Sequence, residues 1–252
     1  MLLQQTLDTL QELHLCGMIK ALKEQDNISE VNTLSFEERF GLIVDREATE
    51  QANRKLNSRL KMARLRQNSA FEDFDWKTAR GLNKAFLLEL ASCNWIRQNQ
   101  NLLIIGATGV GKTFLGCALS HKACREGFSA FYQRMGRMFH DLSVARGDGR
   151  YLRLLKGLTK PDVLIIDDWG MASLSKEQRQ DFLEIAEERH GQKSTIIISQ
   201  IPVENWHGLI GEITLADAIL DRLVHNAHII TLKGESMRKT MANNPKKEEL
   251  PT

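Results

Sequence analysis

Apolar residues return at roughly helical spacing through the first stretch of the chain, at Leu3, Leu7, Leu10, Met18 and Leu22, which predicts helices with one buried face. Ser35 followed three residues later by Glu38 is a capping-box pattern, and the apolar series Phe36, Phe40, Ile43, Leu56 and Leu60 behind it predicts a helix running into the mid-sixties. From about residue 101 the texture changes. Short β-branched runs, LLII, SAFYQ, VLIID, TIIIS and HIITL, alternate with amphipathic stretches. Such alternation predicts a parallel five-stranded sheet covered by helices on both faces, an α/β three-layer domain. The expected organisation is a small all-helical N-terminal domain over 1–67, an α/β domain over 68–240 that includes a linker and lead-in helix, and a frayed tail over 241–252.

The sequence has 252 residues, enough for one substantial core plus a helical extension. No apolar run approaches the length that spans a bilayer, and the first residues carry acids ahead of any basic segment. A cytoplasmic protein with no membrane partner is expected. Cys16, Cys93, Cys117 and Cys124 form neither a C-x-x-C pair nor a metal-spaced cluster, and Cys117 and Cys124 read as small core residues. A net charge of +2 does not announce a nucleic-acid binder, but an average can conceal local patches.

The strongest chemical signal is GATGVGKT at 106–113, which fits G-x-x-x-x-G-K-[ST]. Its glycines let main-chain N–H groups wrap phosphates at the positive end of a helix. Gly106, Ala107, Thr108, Gly109, Val110, Gly111, Lys112, Thr113 and Phe114 are the expected nucleotide contacts, with Lys112 neutralising the β- and γ-phosphates and Thr113 ligating Mg²⁺. An apolar strand before the loop and a helical run after it supply the required context. VLIIDDW then ends a second buried strand in two acids. Asp167 is placed to hold Mg²⁺, directly or through water, and Asp168 to polarise the attacking water. Together they imply ATP with Mg²⁺ and hydrolysis of the γ-phosphate.

STIIISQ ends in Ser199 and Gln200, and Gln200 is the preferred residue for holding the attacking water. Arg222, on a short helix before the last strand, has two readings: an ion pair with Asp221 or Glu212, or a finger that reaches a neighbouring subunit's γ-phosphate. Arg238, in GESMRK, is a candidate second phosphate sensor.

In this order and spacing, GATGVGKT, LIIDDWG, ISQIP, DRL and GESMRK resemble the AAA+ ATPases of the IstB and DnaC group, and LKMARLRQNSAFEDFDW is more similar to IstB than to the DnaC helicase loader. The resemblance covers nearly the whole chain. It implies an ATP-dependent transposition regulator that assembles with copies of itself on double-stranded DNA and stimulates a cognate transposase. It also implies a P-loop AAA+ domain with no C-terminal lid, which puts the sensor role of Arg238 in doubt.

Two segments are candidates for contacting DNA. NRKLNSRLKMARLR holds Arg54, Lys55, Arg59, Lys61, Arg64 and Arg66 without an acid. At about 100° per residue, Lys55, Arg59 and Arg66 fall on one flank of Leu56 and Leu60, and Arg54, Lys61 and Arg64 on the other. These stems either snorkel around a packed helix or meet phosphates. The second segment holds Arg134, Arg137, Arg146, Arg150, Arg153, Lys156 and Lys160 against Asp141 and Asp148. Neither segment interleaves aromatics suited to stacking single strands, which favours duplex. In FEDFDW, Phe71, Phe74 and Trp76 either anchor the linker on the core or set a ring against adenine. The alternatives to a transposition regulator are a helicase loader, which would bind single strands, a small-molecule kinase, and a nucleotide switch with negligible turnover.

Overall fold

The computed structural model describes residues 2–27, 33–67, 69–73 and 81–237. The sensor reading of Arg238, the rings of Phe74 and Trp76 and the tail 241–252 fall outside the described residues. Two compact units divide between Ser58 and Arg59.

The first unit is helical. Helix α1 spans Leu2–Glu12 and α2 Cys16–Asp26, with Leu7, Leu10, Met18 and Leu22 partly buried as their spacing predicts. Helix α3, Phe36–Ala63, opens on the expected capping box: Ser35 Oγ accepts from the Glu38 N–H at 3.2 Å, and Glu38 Oε2 accepts from the Ser35 N–H at 2.8 Å. No side chain of the preceding residue caps α2. Its first N–H groups, on Gly17 and Met18, donate instead to Glu47 Oε2 of α3, at 2.6 and 3.1 Å. Phe36 and Phe40 depart from the expected buried series. They stack on each other with centroids 5.9 Å apart and remain 69% and 51% exposed.

The division at Ser58/Arg59 falls inside α3, ahead of the boundary expected near residue 68. The last turn of α3 belongs by its packing to the second unit: Ala63 is fully buried, and Arg59 Nε donates to the Cys124 carbonyl at 2.9 Å. At Arg64 the backbone turns into the left-handed region, φ +49, and the helix stops.

The second unit holds a parallel sheet of β1 (Asn101–Gly106), β2 (Ala130–Arg134), β3 (Val163–Trp169), β4 (Ser194–Ser199) and β5 (Ala227–Leu232), in the order β2-β3-β4-β1-β5. Side chains alternate between faces along each strand. Leu103, Ile105, Leu164, Ile166 and Ile197 pack under α7 (Met135–Gly147), α8 (Tyr151–Thr159), α9 (Lys176–Arg189), α10 (Trp206–Ile210) and α11 (Ile213–Val224). On the other face lies α6 (Lys112–Arg125), close enough that a Cβ on Gly116 would sit 2.7 Å from Ile198 and 3.7 Å from Ile104. Cys117 and Cys124 are core residues of α6, as expected, and burial pushes the Cys124 thiol up to about 11. The short helices α4 (Lys84–Ala91) and α5 (Asn94–Arg97) lead into β1. No helical domain follows β5 among the described residues, and none of their helices is long and apolar enough to cross a membrane.

Candidate nucleotide-binding site

Parallel strands end on the same edge, and β1 lies beside β4 and β4 beside β3. The loops after these three strands therefore meet at the carboxyl end of the sheet, where open α/β sheets bind ligands. A cavity of about 380 Å³ opens there, lined by Thr108, Gly109, Gly111, Lys112, Thr113 and Phe114 from the phosphate loop, Asp167 and Asp168 from β3, and Ser199 and Gln200 from the end of β4.

The loop has the shape its glycines permit. Gly111, at φ +99, precedes α6 with no side-chain cap, so the loop leads into the amino end of a 14-residue helix, where the helix dipole favours an anion. Gly109 sits at φ +87, and a Cβ there would meet Ser236 Oγ at 2.1 Å. The Met237 N–H donates to the Gly109 carbonyl at 2.9 Å, so the segment after β5 lies directly on the loop. Lys112 is buried, with Nζ donating to the Gly106 and Ala107 carbonyls at 2.7 and 2.8 Å. Val110 points away from the cavity and is buried beneath the loop.

Asp167 is almost inaccessible, with its side chain 2% exposed. Its Oδ2 accepts from Thr113 Oγ1 at 2.9 Å and the Tyr132 hydroxyl at 2.7 Å, and Arg66 Nη1 stands 3.5 Å away. Burial, then the hydrogen bond to Asp167, raises the Tyr132 phenol above its ordinary range. Asp168 follows in the left-handed region at φ +63, where β3 gains one residue over β4: Ile166 pairs with Ile197 and Trp169 with Ser199. In a flat strand two successive side chains face opposite ways. This bulge turns both carboxylates toward the cavity. Arg134 donates to Asp168 Oδ2 from Nε at 2.8 Å and Nη2 at 2.7 Å.

Gln200 Oε1 accepts from Thr108 Oγ1 at 2.5 Å, tying the end of β4 to the phosphate loop. Ser199 is buried, its hydroxyl donating to the main-chain carbonyls of Trp169 and Ile201. The residues fit a nucleoside triphosphate with a hard cation. The loop ends at the amino end of α6, and Thr113 and Asp167 offer two oxygens of the kind Mg²⁺ takes from a protein when phosphates and water supply the rest.

Other candidates lie elsewhere. Arg222 pairs with Glu187 at 2.9 Å, rather than with Asp221 or Glu212, and Asn101 Nδ2 donates to its carbonyl. Asn101 opens β1, so Arg222 sits at the amino end of the sheet and outside the cavity. The basic segments are not the two flanks that helical projection draws. Arg54 donates to Glu47 and to the His14 carbonyl. Arg64 and Arg66 lie beyond the helix end, Arg64 over the Phe131 ring at 5.9 Å and Arg66 in the cavity. Lys55 and Lys61 are exposed on α3. Arg137 pairs with Asp141, Arg146 with the buried Asp181, and Arg150 with Asp148. Phe71 is buried, in keeping with an anchoring role.

Tyr132, Arg66 and Arg134 are site residues the motifs do not disclose. The signal for two of them is the sheet order: β2 pairs with β3 in a register that sets Arg134 opposite Asp167.

A family model described as IstB-like ATP binding protein matches residues 8–244. An insertion-sequence ATP-binding protein of Sinorhizobium fredii is 50% identical over 239 residues, 95% of this chain and 98% of its own. The insertion sequence IS21 ATP-binding protein of Pseudomonas aeruginosa is 31% identical over 236 residues, 94% of this chain and 88% of its own. Among solved structures, the DnaC helicase loader superimposes with a TM-score of 0.56 at 21% identity, covering 66% of this chain and 97% of that one. DnaI gives 0.58 at 20% identity, covering 69% and 94%. The α/β unit thus shares its fold with these two proteins.

Proposed function

Because the chain belongs to the IstB-like ATP-binding proteins of insertion sequences, we propose that it is a Mg²⁺-dependent ATPase that oligomerises on duplex DNA and stimulates a partner transposase. ATP hydrolysis drives release or hand-over. The observation that carries the proposal is the meeting of the phosphate loop, the buried Asp167 on Thr113, and Asp168 at one edge of the sheet.

Lys112 turns from the loop carbonyls to the phosphates, and Thr113 and Asp167 hold the metal. A metal held by Thr113 and Asp167 would supply positive charge against the charge that develops on the phosphates. Asp168 takes the proton of the attacking water once it leaves Arg134, and Gln200 orients that water. Arg222 completes the site of a neighbouring copy. Surface ion pairs are weak, so Arg137 and Arg150 remain available to DNA phosphates beside Arg153, Lys156 and Lys160, which are exposed on or at the end of α8.

The helicase-loader alternative shares the ATP site and rests on likeness of fold, whereas the insertion-sequence relatives match over nearly the whole chain. Turnover of ATP, measured with and without duplex DNA, tests the proposal. Duplex should raise the rate, and Lys112→Ala should abolish turnover and weaken ATP binding by about tenfold or more. A rate indifferent to both DNA and Lys112 would refute the ATPase reading.

A further inference from the structure

Three donors meet at Asp167 Oδ2, and two have an evident purpose. Thr113 shares the metal site, and Tyr132, buried on β2 beside β3, donates its hydroxyl to the carboxylate. Arg66 is the third, at 3.5 Å, the longest of the three contacts and long for a charge-assisted hydrogen bond. Its side chain is 40% exposed and lines the same cavity as Lys112, Thr113 and Gln200. The segment that carries it is anchored on both sides. Ala63 is fully buried before the turn at Arg64, and Ser69, also fully buried, donates to the Phe114 carbonyl at 3.4 Å after it. Arg66 thus reaches into the cavity from between two buried neighbours, with its guanidinium shared between Asp167 and the Tyr132 hydroxyl.

A guanidinium presents five N–H donors in a planar fork that matches phosphate oxygens and stays cationic at any physiological pH. Two further cations line the cavity, Lys112 from the loop itself and Arg134, which is paired with Asp168. We propose that Arg66 is a phosphate-binding residue of the nucleotide site, exchanging between Asp167 and a phosphate oxygen of the same subunit's nucleotide, an assignment that rests on the nucleotide reading above. It removes Arg66 from the DNA-contacting set. It also places a nucleotide-sensing side chain immediately after the long helix α3, on a segment outside every nucleotide-binding motif in the sequence.

The test is an equilibrium titration of the full chain with a fluorescent ATP analogue, in EDTA and again in Mg²⁺, with melting temperatures recorded for every variant. Arg66→Ala should weaken binding about tenfold or more in both conditions, and Arg66→Lys should restore only part of it, because a point charge replaces the fork. A cycle with Asp167→Asn separates phosphate binding from mere support of the acid. In EDTA, Asp167→Asn should tighten binding, and the tightening should be smaller by about threefold or more when Arg66→Ala is also present. Binding by Arg66→Ala equal to that of a wild type that does bind overturns the inference and leaves the nucleotide reading standing. So does an identical gain from Asp167→Asn with and without Arg66. A folded wild type that binds no nucleotide overturns the nucleotide reading and the inference with it.

Discussion

Asp168 adopts φ +63, a conformation that costs a non-glycine residue about 1–2 kcal/mol. The cost is met by the bidentate contact with Arg134 and by the Asp168 N–H, which donates to Asp167 Oδ1 at 2.9 Å. Strain kept at a reactive position is what a geometry built for chemistry leaves behind. Asp168→Asn should retain ATP binding and lose turnover by about 10²–10⁴-fold, the usual share of a general base. Asp168→Gly should lose turnover equally, yet melt no lower than wild type in calorimetry, because glycine accepts this φ without strain. A large drop in melting temperature would contradict the strain account. Gly109→Ala places a methyl 2.1 Å from Ser236 Oγ and 2.8 Å from its Cβ, so the segment 233–237 should be displaced, and limited proteolysis there should accelerate. At this scale Gly106, Lys112, Thr113, Asp167 and Asp168 are legible in the sequence because each motif demands one residue type at one spacing. Tyr132 and Arg134 are not, since their role depends on which strand lies beside β3. Arg66 is hidden by the turn at Arg64, which no glycine or proline announces.

Elements with strong local signals were readable in advance: α3 from its capping box, and the five strands from their β-branched runs. The short α5 and α10 carry too few residues for a period to emerge. The compact division at Ser58/Arg59 is not legible in the sequence because the contacts of residues 59–69 within the second unit, such as Arg59 with Cys124 and Ser69 with Phe114, span long stretches of sequence. One element junction depends on a single buried cation. Arg189, at the end of α9, is 2% exposed and donates to the carbonyls of Leu158, Thr159, Pro161 and Ser194, with Nε on Thr195 Oγ1. It satisfies the open end of α8 and joins β4 to α9, and burial lowers its pKa to about 9. Arg189→Met fills similar space but orphans those carbonyls, of which Leu158 and Ser194 are buried acceptors. A loss of about 3 kcal/mol or more is expected in urea unfolding, with nucleotide affinity unchanged in the folded protein. A loss below about 1 kcal/mol would show that water replaces the guanidinium.

At the scale of the molecule, the phosphate loop and Arg222 lie at opposite ends of β1, a strand of six residues that spans about 17 Å. Arg222 does not line its own subunit's cavity, so any contact with a γ-phosphate must be made in a neighbouring copy. Its pair with Glu187, a residue half exposed to solvent, is of the kind that contributes at most about 1 kcal/mol and is readily exchanged. Arg222→Ala should bind ATP normally and hydrolyse it poorly, and mixing it with Asp168→Asn should restore part of the turnover, since one variant supplies an intact site and the other the arginine. Turnover of Arg222→Ala equal to wild type in an assembled sample would remove the finger assignment.

The central claim is that ATP governs assembly on duplex DNA, and fluorescence anisotropy of matched duplex and single-stranded oligonucleotides, titrated with protein in MgATP and in MgADP at one fixed salt concentration, tests it most directly. The account predicts tight binding to duplex in MgATP, weaker binding in MgADP, and a clear preference for duplex over single strand. Tighter binding to single strands, or duplex affinity that ignores the nucleotide, would contradict it.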